Sequence, residues 1–247
     1  MNNHAVEIND LSCHFGSFKA VDRISLTVEQ GEIFGFLGAN GAGKTTAIRM
    51  LCGLLIPSGG GGQVAGFDIL KQSEEIKKNI GYMSQKFSLY PDLTGRENLN
   101  FYGAAYGLDK KQILARTEEL SNRLQLAEFI DRPTLSLPVG WRQRLALAAS
   151  LLHKPKILFL DEPTGGVDPV FRRKFWQILY QLAEEGVTIF VTTHYMDEAA
   201  YCQRISVMHR GQIILRGKPY DLIEQHRAAN LEELFIDLIR GRENADA

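Results

Sequence analysis

The sequence predicts an α/β fold: a core of parallel strands, an antiparallel β segment at the N-terminal end, and a helical lobe inserted between core strands. Three observations carry this. Continuous apolar runs stand at Ile33-Phe34-Gly35-Phe36-Leu37, at Ile157-Leu158-Phe159-Leu160 and from Val187 to Thr192. That is the pattern of strands buried on both faces. Apolar alternation in Val6, Ile8 and Leu11, and again in Ile24, Leu26 and Val28, marks an opening hairpin or meander. From Leu93 to Leu152 the pattern is helical, with no strand run inside it.

The remaining elements follow in order. After Gly38 to Gly43, a helix carries Ala47, Ile48, Leu51, Leu54 and Leu55 on one face. Pro57-Ser58 and Gly59 to Gly62 then read as a flexible surface loop. Ile80 to Ser84 is a further strand, and Phe171 to Glu185 an amphipathic helix. Ile205 to His209 and Gln212 to Leu215 pair as a hairpin around Arg210-Gly211, and helices near Asp221 and from Leu231 to Arg240 finish the chain. This gives a single domain over 1–240, with a core from 1–86 and 153–240, a helical lobe at about 87–152, and a tail at 241–247.

Composition narrows the function. The 247 residues are 45% hydrophobic and 23% charged, ordinary globular values. Lys plus Arg is 28 and Asp plus Glu 29, so there is no basic footprint of the kind a nucleic-acid binder carries. Cys13, Cys52 and Cys202 lie far apart with no metal-ligand spacing, and read as packed thiols of a reducing compartment. Met1-Asn2-Asn3-His4 lacks the basic and apolar regions of a leader, and no apolar run is long enough to span a bilayer. Work at a membrane would therefore go through a partner.

Gly38-Ala39-Asn40-Gly41-Ala42-Gly43-Lys44-Thr45 matches G-x-x-x-x-G-K-[ST], between an apolar strand and an apolar-faced helix. Glycines let backbone N–H groups wrap a phosphate, and the helix start aims its positive end at the same oxygens. Lys44 adds a point charge for the β- and γ-phosphates, and Thr45 a hydroxyl for Mg²⁺, with Thr46 beside it. Asp161-Glu162 directly follows a buried strand, where unpaired acids are costly unless they face a ligand crevice. Asp161 would help hold Mg²⁺, and Glu162 would polarise an attacking water.

With these motifs in place, the chain resembles the ATP-binding cassette of ABC transporters, over almost its whole length from Val6 to Leu222. The resemblance implies a P-loop NTPase core and further site residues. Phe15, in His14-Phe15-Gly16, sits where the family stacks an aromatic on adenine. Gln85 matches the glutamine that links nucleotide and metal to the helical lobe. Asp168, in Gly165-Gly166-Val167-Asp168, matches the dimer-contact loop, and His194 the histidine that contacts the γ-phosphate. The catalytic set implied is thus Glu162, His194, Gln85 and Lys44, and the metal set Thr45, Gln85 and Asp161.

One motif departs from the family. Its signature, Leu-Ser-Gly-Gly-x-x-Gln, acts on the nucleotide of the partner subunit; here it reads Leu137-Pro138-Val139-Gly140-Trp141-Arg142-Gln143. A reading shifted by two residues would start at Leu135-Ser136. Pro138 loses the serine hydroxyl, a hydrogen bond worth about 1.5–3 kcal/mol to a charged oxygen. Gly140 and the helix start retain backbone donors. The Leu-Pro-x-Gly variant, the stretch from Trp141 to Pro155 and the tail from Leu231 to Leu238 are similar to cassettes of ABC-2-type exporters.

The resemblance implies ATP and Mg²⁺ as cofactors, and ATP-driven dimerisation with itself or another cassette. It also implies a separate polytopic membrane subunit, no nucleic acid, and a cytoplasmic, membrane-peripheral location. The leading reading is an exporter ATPase, acting on drugs or lipophilic compounds. An importer cassette shares most of these motifs. A regulatory ATPase of ribosomes or DNA belongs to another class; its relatives usually carry paired cassettes or long coiled coils, and neither pattern occurs here.

Overall fold

The computed structural model describes residues 3–85 and 89–245, with side chains through Gly241. The chain opens with β1 (His4–Phe15) and β2 (Phe18–Glu29), an antiparallel hairpin. Next come β3 (Ile33–Leu37), α1 (Lys44–Leu51), β4 (Gly59–Val64), β5 (Phe67–Asp68), α2 (Ser73–Asn79) and β6 (Ile80–Met83). The lobe holds α3 (Gly95–Ala105), α4 (Lys110–Arg123), a 3-10 turn (Thr134–Ser136) and α5 (Val139–Leu151). The chain then returns through β7 (Ile157–Asp161), α6 (Pro169–Glu184), β8 (Thr188–Thr193), α7 (Met196–Ala199), β9 (Arg204–His209) and β10 (Gln212–Gly217). It ends in α8 (Pro219–His226) and α9 (Leu231–Ala245).

Two sheets result. The antiparallel one runs β2-β1-β4-β5, and the larger one β10-β9-β3-β8-β7-β6. In the larger sheet β9, β3, β8, β7 and β6 are parallel, and β10 closes the edge antiparallel to β9. Every residue of β3, β7 and β8 is buried, and alternation sends neighbours to opposite faces. Phe34, Phe36, Ile157, Phe159 and Phe190 pack with α1 and the antiparallel sheet. Ile33, Leu37, Leu158, Leu160, Ile189 and Val191 pack with α5 and α6. Phe190 centres the first cluster, its ring 5.3 Å from Phe34, 5.5 Å from Phe36 and 5.4 Å from Phe159. Burying one such ring is worth about 1.5–3 kcal/mol.

The lobe helices are defined locally. Thr94 with Glu97, and Asp109 with Gln112, form capping boxes that start α3 and α4. At the far end of α5, Arg116 donates to the carbonyls of Leu151 and Leu152 at 2.8 and 3.1 Å. This satisfies acceptors that a helix C-terminus leaves open.

Three sequence expectations need adjustment. The helix after Gly43 ends at Leu51, so Leu54 and Leu55, expected on its face, lie beyond it. Gly59 to Gly62 is not a loop: it is part of β4 and pairs with β1, with Ile8 opposite Gly62 and Ser12 opposite Gly59. The glycines are there for close approach rather than for mobility. β1 bulges around Asp10, and a Cβ on Gly60, at φ +73°, would fall on the Asp10 carbonyl. The last helix, expected to end at Arg240, continues to Ala245, since no proline interrupts it. Phe87, at the expected start of the lobe, lies outside the described residues.

Gly60→Ala is expected to destabilise the fold by about 1–3 kcal/mol. Gly61→Ala, whose Cβ meets only Leu70 at 4.0 Å, should stay within about 0.5 kcal/mol. Urea unfolding of the two variants checks the contrast.

Candidate functional site

Strand order builds the site. β3, β8, β7 and β6 are neighbours and parallel, so their carboxyl ends open on one crevice. The loop after β3 carries Gly38 to Gly43, β7 ends in Asp161 before Glu162, β8 ends in Thr193 before His194, and Gln85 follows β6. Residues far apart in sequence thus meet because four buried strands stop at the same level.

The phosphate loop turns directly into α1. Gly43 stands at the helix N-cap with φ +108°, a conformation that glycine alone adopts readily. Lys44 is buried and folds over its own loop, donating to the carbonyls of Gly38 at 2.7 Å and Ala39 at 3.1 Å. Asn40, Gly41, Gly43, Lys44, Thr45, Thr46, Gln85 and Glu162 line one pocket, closed on one side by Phe18 and Ala20. Ala42 keeps the loop closed through its amide to the Ala39 carbonyl, 3.1 Å.

Glu162 is the meeting point. Its Oε1 lies 3.3 Å from Lys44 Nζ, and its Oε2 accepts from Gln85 Nε2 at 2.9 Å and faces His194 Nδ1 at 3.0 Å. The backbone here has φ +51°, sparsely populated for a non-glycine residue. The Glu162 amide holds that turn, donating to the Thr192 carbonyl and hydroxyl, both at 3.1 Å. Strain of this kind, held in place by its surroundings, concentrates at functional sites.

Asp161 is 1% exposed. Its Oδ1 accepts from the Thr192 hydroxyl at 2.6 Å, while Oδ2 is buried with no hydrogen-bond partner. An orphaned buried carboxylate oxygen is costly and fits a place for a cation or its water shell. Among the described residues, no three His, Cys, Asp or Glu side chains converge on a metal site. Nearby, burial first and the Asp161 charge second push the Tyr82 hydroxyl up to about 12 and the Cys52 thiol well above its ordinary range. All three cysteines are buried and unbridged.

The segment from Leu137 to Gln143, which the sequence reading aligned with the family signature, runs into α5. Leu137 is buried, Pro138 is the N-cap of α5, and the helix begins at Val139. No side chain caps this helix start. Phe171 of α6 lies flat enough against Gly140 that a Cβ there would come within 2.7 Å of its ring. The buried Arg144 guanidinium sits 4.9 Å from the Trp141 ring and 4.6 Å from Phe171, and donates to the Leu124 carbonyl and Gln125. Burial pulls this guanidinium below its ordinary value. Gln143 donates to the Gly165 carbonyl at 3.0 Å, linking the signature helix to the loop ending in Asp168. Asp168 itself caps α6, accepting from the Phe171 amide at 2.9 Å.

The comparisons with known proteins agree with this geometry. A family model described as ABC transporter matches residues 21–165. The chain belongs to the ABC transporter family. The cassette is 46% identical over 241 residues to a protein of Escherichia coli (strain K12) named "Probable multidrug ABC transporter ATP-binding protein YbhF". That match covers 95% of the cassette and 41% of the relative, so the cassette spans about two fifths of that relative's length. It is 37% identical to the Nod factor export ATP-binding protein I of Ralstonia nicotianae, covering 94% of the cassette and 73% of the relative. A solved structure titled "Structure of ATP binding subunit of ABC transporter" superposes with a TM-score of 0.84 at 26% identity, covering 95% and 99% of the two chains. A second model, described as an AAA domain, matches residues 140–196.

The structure brings Lys44, Thr45, Gln85 and Glu162 to one pocket, with His194 against Glu162 and Asp161 buried beside it against Thr192. Phe15 stands apart: it ends β1, is 54% exposed, and pairs across the hairpin turn with Phe18. Phe18 is the aromatic that lines the phosphate-loop pocket, and the sequence reading passed over it. Its spacing from Phe15 on either side of Gly16-Ser17 was the available signal. The partners of Thr192 and Thr193 were also missed, because hydroxyl pairing depends on strand register.

Asp168→Ala removes a cap and should cost about 1 kcal/mol of stability. Denaturant unfolding of the purified cassette reads this directly.

Proposed function

We propose that the cassette binds and hydrolyses MgATP and powers export across a membrane, with drug-like or lipophilic compounds as cargo. The observation that carries this is the Glu162 carboxylate, held 3.3 Å from Lys44 and 3.0 Å from His194 at the rim of the phosphate-loop pocket. A carboxylate so placed can take the proton of a water attacking the γ-phosphate. The relatives named for multidrug transport and for Nod factor export support the transport reading.

Each residue then has a task. The amides of Gly41 and of Gly43 to Thr46, with the α1 N-terminus, bind phosphate oxygens. Lys44 exchanges the Gly38 and Ala39 carbonyls and Glu162 for the β- and γ-phosphates, which frees Glu162 Oε1 toward water. His194 Nδ1 holds the other oxygen of Glu162 and lies beside the position of the γ-phosphate. Gln85 reports occupancy of the site to the lobe, which begins just beyond it. Thr45, Asp161 and Gln85 would hold Mg²⁺, which supplies positive charge to the phosphate oxygens. Phe15 or Phe18 offers a ring to the adenine.

The signature segment Leu137, Pro138, Val139, Gly140 and Gln143 acts on the nucleotide of a partner cassette, and the Asp168 loop lies at that interface. Closure is favoured only when both subunits touch the nucleotide. Among the described residues no helix is long and apolar enough to cross a membrane. In this reading a polytopic membrane subunit carries the cargo path, and the cassette works at its cytoplasmic face. The lobe, described from 89 to 152, meets that subunit, on a core described over 3–85 and 153–240.

Glu162→Gln is expected to bind ATP with wild-type affinity and to lose turnover by about 10²–10⁴-fold in a steady-state phosphate-release assay. Undiminished turnover would remove Glu162 from its role. Pro138→Ser supplies a hydroxyl at the bare start of α5, and should strengthen ATP-dependent dimerisation in sedimentation velocity by about ten-fold. Unchanged dimerisation would mean that backbone amides alone serve there.

A further inference from the structure

Glu198 is the most deeply buried acid among the described residues, at 0% exposure. It lies on α7, just beyond His194. Its carboxylate joins segments that the sequence keeps apart. Oε2 accepts from the Thr193 hydroxyl at 2.6 Å, and Oε1 accepts from the Thr164 hydroxyl. Arg172 Nε of α6 is 3.4 Å from the same Oε1.

A proton inventory fixes the orientation of these groups. A threonine hydroxyl has one proton to give. Thr193 gives it to Glu198, so its lone pair takes the amide of Tyr195, at 3.0 Å. Those two bonds close the turn in which His194 stands between Thr193 and Tyr195. On the other side, Thr164 belongs to the loop that starts at Glu162 and reaches Asp168. Arg172 adds a brace: it pairs with Asp197 at 3.2 Å and covers the Tyr195 ring at 4.3 Å.

Stability alone does not account for this carboxylate. A buried ion pair is seldom better for stability than a well-packed apolar side chain, and breaking one leaves a stranded charge. What the carboxylate provides, and an apolar residue would not, is a directional link between two loops. Those loops hold the His194 Nδ1 and Glu162 Oε2 atoms 3.0 Å apart.

We propose that Glu198 is a positioning residue for hydrolysis: through Thr193 and Thr164 it locks the His194 turn to the Glu162–Asp168 loop. The proposal rests on the hydrolytic reading given above. A displacement of about 1 Å in a reacting group costs about 10²-fold in rate. Removing the link therefore lowers kcat and leaves the phosphate loop, and with it ATP binding, intact.

The test is steady-state ATPase of the purified full chain as wild type, Glu198→Gln, His194→Ala and the double variant, with KM and kcat separated. Glu198→Gln is expected to lower kcat by about 10–100-fold with KM for ATP within about two-fold. In the His194→Ala background the same substitution should change kcat by less than about two-fold, because the group it positions is gone. An equal fold-loss in both backgrounds, or a wild-type kcat in Glu198→Gln, overturns the proposal. Thr193→Val removes one link with little change of shape, so it serves if Glu198→Gln does not fold; it should show the same kcat loss, and a normal kcat overturns the proposal as well. A folded wild-type chain that binds ATP without turning it over overturns the hydrolytic reading itself, and that result is read before any variant is compared.

Discussion

Glu162 stands where one carboxylate is shared by a lysine, a glutamine and a histidine from three other segments. Lys44 opens α1 after the loop from β3, Gln85 follows β6 and His194 follows β8, so the cluster exists only if β3, β6, β7 and β8 keep their order and register. Asp161 lies opposite Thr192, and Leu37 opposite Thr193, across the β7-β8 and β3-β8 ladders. A one-residue slip in either ladder would turn these side chains to the other face. The alternating apolar layers above and below the sheet guard against that slip, because it would expose Phe159 and Phe190 to the wrong layer. Core packing and site geometry are in this sense one constraint.

The same economy shows in the hydroxyls. Thr192 gives its proton to Asp161 and receives the Glu162 amide. Thr193 gives its proton to Glu198 and receives the Tyr195 amide. Adjacent residues of one strand thus serve opposite faces of the sheet, one steadying the Asp161 carboxylate and the Glu162 backbone and the other steadying the turn after β8. Valine at either place would preserve the strand and lose the link.

Much of this was legible in the sequence, for physical reasons. Strands buried on both faces must be continuously apolar, which exposed β3, β7 and β8. A phosphate-binding turn needs glycines at fixed spacing before a lysine, which exposed Gly38 to Lys44. Acids directly after a buried strand are hard to explain by packing, which exposed Asp161 and Glu162. The glycines of β4 misled because a run of glycine signals both loops and close backbone contact. Only the bulge of β1 at Asp10 separates the two, and that bulge is a property of the paired strands. Phe18 was missed because nothing in a hairpin's own sequence says which of two cross-strand aromatics will face a distant loop. Glu198 was missed because its partners, Thr164 and Arg172, come from other elements.

α5 is unequal at its two ends. Arg116 covers the carbonyls of Leu151 and Leu152 at its C-terminal end, and the proline at 138 leaves its first amides without a capping side chain. A peptide helix carries partial charges of opposite sign at its ends. Here two carbonyls of the negative end are answered within the lobe, and the positive end, at Val139 and Gly140, has no side-chain cap. α5 therefore presents its positive end more openly than its negative one, an asymmetry set by a proline at one end and an arginine at the other.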